Sequence, residues 1–341
     1  NRPLISIVVP VFNVAEFLKE LILSIQNQEV DFEYEVIFVD DGSSDGSRFV
    51  LQQFTKKMYR ASNVKIISKE KNAGIAEARN TGIAAANGQY IMHLDSDDFL
   101  VDNTLYLIGA ALQDQQPDCL AVDGNMWWWY NSIWHQKCEL FPPKKLLALN
   151  TDVMAMYIRE EKFYAWKYIV KAEIAKQHLF YTGRVFEDVT TLPMLIIHCE
   201  TLYYYPLAVI NYRQREGSTS KKRDFKNLAA MSDATHLLMQ ELQQHYQDEL
   251  PQEMRLPCAG FCIKQFVWCC LDALKNSEVN YKQLHHYLKD NFIKNTKIFD
   301  KEKRIKFSSL RTLKSLEKEL NVRKLDIYKF YFSYHYGWLY F

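Results

Sequence analysis

The sequence predicts an α/β fold: a doubly wound, mostly parallel sheet over residues 1–220, followed by a helical region over 221–341. Three observations predict it. Short apolar runs alternate with helical stretches over residues 1–100, turn-forming Gly, Asn, Asp and Ser punctuate them, and strand-like runs cease beyond Lys221. Strands that alternate with helices argue for βαβ units, and strands covered on both faces read as continuous apolar runs.

Residues 4–9 make the first strand, and Phe17, Leu18, Leu21, Ile22 and Ile25 then recur at the spacing of one helix face. A second strand spans 35–39, a third 64–67 and a fourth 90–94, with helices over 47–59 and 73–86 between them. A helix over 103–115 and a strand-like run over 119–129 precede a mixed segment that ends near Arg215. From Asp224 to Leu320, helix formers and periodic apolar residues such as Leu237, Leu238 and Leu242 predict a separate helical region.

With 341 residues, 48% hydrophobic and 24% charged, the chain is neither disordered nor collagen-like. A formal net charge of +1 gives no bulk attraction to nucleic acid, so no nucleic-acid partner is expected. The balance is uneven, however. Between Lys294 and Lys329 there are twelve Lys and Arg against five Asp and Glu, and an aromatic run follows to Phe341. Such a stretch suits an anionic membrane surface, or equally packs back on the chain or on another subunit as a homo-oligomer contact. The seven cysteines show no paired spacing of a zinc ribbon or disulfide framework, which fits a reducing cytosol. No charge-free apolar stretch approaches the roughly 18 residues of a membrane span, and the first residues lack a basic-then-apolar secretory pattern.

Chemistry concentrates where the strands end, the edge at which open α/β sheets bind ligands. Leu94-Asp95-Ser96-Asp97-Asp98 puts carboxylates on a strand exit, where two of them can meet one hard divalent cation that also takes substrate phosphates. Plain turn composition gives the same letters. Asp40-Asp41-Gly42-Ser43 ends the second strand; a carboxylate there can accept a uracil imide N–H or a ribose hydroxyl, or cap a helix. Pro10-Val11-Phe12-Asn13 offers an aromatic face for a base, or a core ring. Asn72 to Gly82 opens a helix whose amino end favours an anion, with Arg79 two turns inside it.

Together, Ser6 to Asn13, Val39 to Asp45, Asn72-x-Gly-x-x-x-Ala-Arg-Asn80 and Leu94 to Asp98 resemble the inverting family 2 glycosyltransferases of the GT-A fold, bacterial surface-polysaccharide type, over residues 1–215. The resemblance implies transfer of a sugar from a UDP-sugar donor to a glycan or lipid-linked glycan acceptor at the cytoplasmic face of a membrane. It implies that Pro10, Phe12, Asp40, Asp41, Asn72 and Arg79 hold the nucleotide, Asp95 with Ser96 the ribose or donor sugar, and Asp97 a divalent metal, Mn or Mg. Phe186-Glu187-Asp188-Val189 supplies the matching Glu-Asp pair, with Asp188 as general base and Glu187 as support; a helix cap is the plainer account. Arg213 and Arg215 resemble the closing loop over the diphosphate, against which stands salt bridging between domains. Trp166 is either an acceptor-stacking platform or a core ring. Core or hairpin packing, rather than a carbohydrate-stacking strip, is expected of Met126 to Tyr130 with Trp134, since alternate faces of one strand would send half of those rings into the core.

Two other classes are weighed. A sugar-phosphate nucleotidyltransferase would carry a glycine-rich, arginine-containing loop where Pro10-Val-Phe-Asn13 stands. A degenerate, scaffolding glycosyltransferase would not need Asp97 and Asp188.

Overall fold

Ile5–Val11 forms β1 with all seven residues buried, as a strand covered on both faces requires. The computed structural model describes residues 2–56, 63–128, 133–215, 222–274 and 279–296. After β1 come α1 (Ala15–Gln26), β2 (Tyr34–Asp40), α2 (Ser47–Thr55), β3 (Val64–Ser68), α3 (Ile75–Ala85), β4 (Tyr90–His93), β5 (Phe99–Leu100) and α4 (Thr104–Gln115). The chain continues through β6 (Cys119–Trp128), β7 (Ile133–Gln136), β8 (Leu146–Ala148), α5 (Thr151–Glu160), a 3₁₀ turn at Ala165–Lys167, β9 (Tyr168–Lys171), α6 (Ala172–Gln177), α7 (Glu187–Ile196) and β10 (Thr201–Gln214). The helices α8 (Phe225–His245), α9 (Gln252–Ala273) and α10 (Tyr281–Thr296) follow, and no strand occurs among the described residues beyond 221.

The described strands form one ten-stranded sheet in the order β3-β2-β1-β4-β9-β6-β10-β5, with β7 on β6 and β8 on β10. From β3 to β4 the strands are parallel; β9 lies antiparallel between β4 and β6, and β6 and β10 are parallel again. The β1 and β2 register, Ile5↔Tyr34 to Val11↔Asp40, brings Phe12 and Asp41 out at one edge. Leu18, Leu21, Ile22 and Ile25 of α1 join Ile5, Ile7 and Val9 in the main core. Burying each such side chain contributes roughly 1.5–3 kcal/mol.

Several boundaries differ from expectation. α2 stops at Thr55 and β6 at Trp128, while residues 57–62 and 129–132, including Trp129 and Tyr130, lie outside the described residues. β5, β7, β8 and β9 have two to four residues each, too few for a period to register in sequence. The basic and aromatic stretch beyond Thr296 and the segment 216–221 also lie outside the described residues.

The chain divides into two compact units. One comprises Asn1–Leu149, Lys162–Arg184 and Leu195–Glu216; the other Asn150–Glu161, Val185–Met194 and Gly217–Phe341. Within the second, α9 packs with α5, α8 and α10, Lys264 pairs with Glu161 at 2.9 Å and the Thr190 hydroxyl donates to the Ala234 carbonyl at 2.9 Å. By length and composition α9 can cross a membrane, a candidate missed in sequence because Glu253, Arg255, Lys264 and Asp272 interrupt it. Its most apolar window is 72% buried within the protein, as a core helix would be.

Candidate active site

The loops at the carboxyl ends of β1, β2 and β3 are tied to one another by side chains. No side chain of its own caps α1; instead the Val14 N–H donates to the Ser47 hydroxyl at 3.0 Å and the Ala15 N–H to Asp45 Oδ2 at 3.0 Å. Asp45 Oδ1 also accepts from the Ser47 amide and hydroxyl. Burial raises the Asp45 carboxyl, but these hydrogen bonds outweigh it and hold the group below its ordinary range. Asn13, at φ +52°, accepts from the Ser44 N–H at 2.8 Å.

Asp40 is fully buried, its Oδ1 accepting from the Ser43 N–H at 3.0 Å and its Oδ2 from Arg48 Nε at 2.7 Å. Asp41 Oδ2 accepts from the N–H groups of Ala73 and Gly74, and Lys69 lies 3.2 Å from Oδ1. One carboxylate thus holds the two backbone N–H groups that lead into α3. Gly42, at φ +75°, sits so close to the Lys71–Asn72 peptide that a Cβ would lie 2.9 Å from the Asn72 nitrogen. Asn72 is exposed at this junction, and Phe12 is 44% exposed rather than a core ring. Pro10, buried in β1, lies past the last β4 partner at Val8↔His93, so its missing N–H breaks no ladder there.

The acidic turn after β4 holds three aspartates. Asp95 Oδ1 accepts from Arg79 Nη2 at 2.8 Å, and the Arg79 guanidinium, buried as the fifth residue of α3 rather than two turns inside it, lies over Phe180. Asp97 Oδ2 accepts from Arg215 Nε at 2.7 Å, and the Asp97 carbonyl from Arg213 Nε at 2.8 Å. Asp98 is 1% exposed, with Oδ1 accepting from the Arg213 N–H at 2.8 Å and Oδ2 buried without a hydrogen-bond partner among the described residues. Burial, then the charges of Asp97 and Asp95, push its carboxyl well above the usual carboxylate range. Ser96 is buried between them.

Behind this turn stand residues that the sequence reading did not single out. Asn80 accepts from the Phe180 N–H and donates to its carbonyl, clamping that loop. Phe180 meets the His93 ring edge-on at 5.2 Å. Burial, followed by the Arg79 charge, takes the His93 imidazole down to about 3, so it is neutral and no general acid at ordinary pH. Asn80 lies inside the Asn72-x-Gly-x-x-x-Ala-Arg-Asn80 pattern; His93 and Phe180 carry no sequence signal of their own.

Two expectations need correction. Arg213 belongs to β10, not to a loop: its guanidinium binds the Asp97 carbonyl and Glu20 and lies within 5.3 Å of the Phe17, Phe99 and Trp127 ring centres, which fixes it in place. Trp166 is 2% exposed, stacked on Tyr164 at 5.4 Å and set against Gly124, where a Cβ would lie 2.5 Å from the indole. It is a packing ring rather than an open platform. Trp134 lies in the β6–β7 hairpin, opposite Met126, and is 65% exposed.

Glu187 and Asp188 are the first two residues of α7, where the helix dipole favours negative charge. They belong to the second unit, and the other candidate residues to the first. Phe186, just before them, has φ +60°, a costly backbone for an aromatic residue. Among the described residues no cluster of three or more His, Cys, Asp or Glu is arranged around a metal. A cavity of about 730 Å³ lined by Leu4, Phe32, Gln89, Tyr90, Gln113 and Lys171, among others, contains none of the candidate residues.

Residues 6–163 match the family described as glycosyl transferase family 2. Glycosyltransferase GlyG of Streptococcus pneumoniae serotype 4 is 28% identical over 229 residues, which is 63% of this chain and 72% of GlyG. Poly(ribitol-phosphate) beta-glucosyltransferase of Bacillus spizizenii is 42% identical over 103 residues, 30% of this chain but only 16% of that protein. Among solved structures, S. aureus TarS 1–349 with bound UDP-GlcNAc superposes with a TM-score of 0.67 at 19% identity, covering 99% of this chain and 93% of TarS 1–349. With four motifs in order at the ends of a parallel sheet, and a family match confined to residues 6–163, that part of the chain belongs to glycosyl transferase family 2, on a GT-A fold.

Proposed function

We propose that the protein transfers a sugar from a UDP-sugar to a hydroxyl of a surface-glycan acceptor, with inversion and with a divalent cation. The observation that carries this reading is the acidic turn: two carboxylates, Asp95 and Asp97, each held in place by its own arginine at a sheet edge shared with Phe12, Asp41 and Asn72. TarS, which shares the fold, binds UDP-GlcNAc, and a relative acts on poly(ribitol-phosphate), which supports the donor and acceptor classes.

An all-oxygen donor set suits a hard cation such as Mg or Mn. The carboxylate of Asp97, 22% exposed, would hold it, with the rest of its shell supplied by substrate phosphates and water. Such an ion would neutralise a diphosphate leaving group without a proton donor. Phe12 presents a ring to the base, and Asp95 receives the ribose or donor sugar. Asp188 serves as the base that takes the acceptor proton as the hydroxyl oxygen attacks the anomeric carbon, with Glu187 supporting it. A lipid-linked acceptor at an anionic membrane face agrees with the basic and aromatic stretch beyond residue 294.

Calorimetry with UDP and UDP-sugars, in Mn and in EDTA, tests the reading. Metal should tighten UDP binding about tenfold or more, and Asp97→Ala should abolish that gain while the protein stays folded. Tightening that survives in Asp97→Ala removes Asp97 from the metal site. No nucleotide binding by the folded protein turns the reading to a degenerate, scaffolding subunit.

A further inference from the structure

Three arginines surround the acidic turn, and they differ in how firmly they are held. The Arg79 side chain is 4% exposed, between Asp95 and the Phe180 ring. Arg213 is 7% exposed and fastened by the Asp97 carbonyl, Glu20 and three aromatic rings. Arg215 is 35% exposed, pairs with Asp97 Oδ2 at 2.7 Å and touches one ring, Phe17, at 5.3 Å. It follows β10 directly. The one arginine open to solvent is therefore the one seated on the carboxylate assigned to the metal.

We propose that Arg215 is a built-in counter-ion of Asp97, displaced when metal and nucleotide arrive together, so that the two ligands bind cooperatively. The proposal rests on the metal reading of Asp97. A guanidinium at 2.7 Å and a divalent cation on one carboxylate compete for it, because the two like charges repel and each lowers the negative charge left for the other. A metal ion that arrives alone therefore meets a repulsive neighbour, or displaces it by breaking a charge-assisted hydrogen bond and leaving the guanidinium in water without its anion. A metal that arrives with a diphosphate brings phosphate oxygens, to which the released planar fork is well matched. The nucleotide thereby removes the competitor, and by reciprocity the metal helps the nucleotide to the same degree.

The test is Mn binding to the full chain, followed by the electron paramagnetic resonance of free Mn, with and without UDP. Wild type should bind Mn weakly alone and more tightly with UDP. Arg215→Gln should bind Mn alone about 3- to 10-fold more tightly and lose most of the UDP-dependent gain. Arg215→Lys, which keeps the charge, should stay near wild type and so separates charge from packing. Unchanged or weaker Mn binding by Arg215→Gln overturns the counter-ion role. Asp97→Asn distinguishes the two levels: if it binds Mn like wild type, the metal reading itself has failed, whereas lost binding there with no gain in Arg215→Gln refutes this inference alone.

Discussion

Asp95, Asp97 and Asp98 have the same side chain within four positions, yet each has a different electrostatic setting. Asp95 has a buried arginine, Asp97 a half-exposed one, and Asp98 has burial and two neighbouring acids that favour its neutral form. The cluster itself was legible from the sequence; the difference within it was not. The groups that create it, Arg213 and Arg215, lie 115 and 118 positions away from their partners, and no local pattern encodes such a pairing. Asp188 was legible only through its motif, and its place at the start of α7 serves a capping acid as well as a base. Kinetics separate these roles. If Asp188 is the base, Asp188→Asn binds UDP-sugar as wild type does and transfers roughly 100- to 10,000-fold more slowly; near-normal transfer would remove it from that role.

Among the elements, the parallel half of the sheet was readable because strands buried on both faces are continuous apolar runs. β9 was not, since its four residues run against both neighbours and owe their place to Ile91↔Val170 and Leu120↔Ile169 pairing. A polar residue inside a readable strand also went unmarked. Glu35, in β2, accepts from the Ser6 hydroxyl, Lys65 and the amides of Asn87 and Gly88, and so joins β1, β2, β3 and the approach to β4. Burial raises its carboxyl, but these donors outweigh it and hold the group below its ordinary 4.5. A depressed carboxylate stabilises the fold fully above its unfolded value and loses that contribution as pH falls through the folded one. Glu35→Gln should therefore cost about 1.5–3 kcal/mol at pH 7, with the gap to wild type narrowing in acid. Denaturant unfolding at pH 7 and pH 3.5 checks this; a gap that does not change with pH would show that the charge is not what matters.

At the scale of the molecule, the basic and aromatic stretch beyond residue 294 is a property of sequence alone. Each Lys or Arg near an anionic bilayer contributes about 1 kcal/mol. Replacing Lys301, Lys303, Arg304 and Lys306 with Gln should thus lower co-sedimentation with anionic vesicles at least about tenfold without altering UDP binding. Unchanged sedimentation would end the membrane reading. The discontinuous make-up of the second unit was out of reach of any sequence boundary, because α5 and the start of α7 join it through packing. The seven cysteines, all buried, divide along the same line: Cys119, Cys138 and Cys199 in one unit, Cys258, Cys262, Cys269 and Cys270 in the other. Burial lifts the thiols of Cys199, Cys258 and Cys270 up to about 12, so these three should react slowly with alkylating reagents while the protein stays folded. Each unit therefore carries its own set of latent chemical clocks, and the order in which thiols become reactive under mild denaturant records which unit opens first.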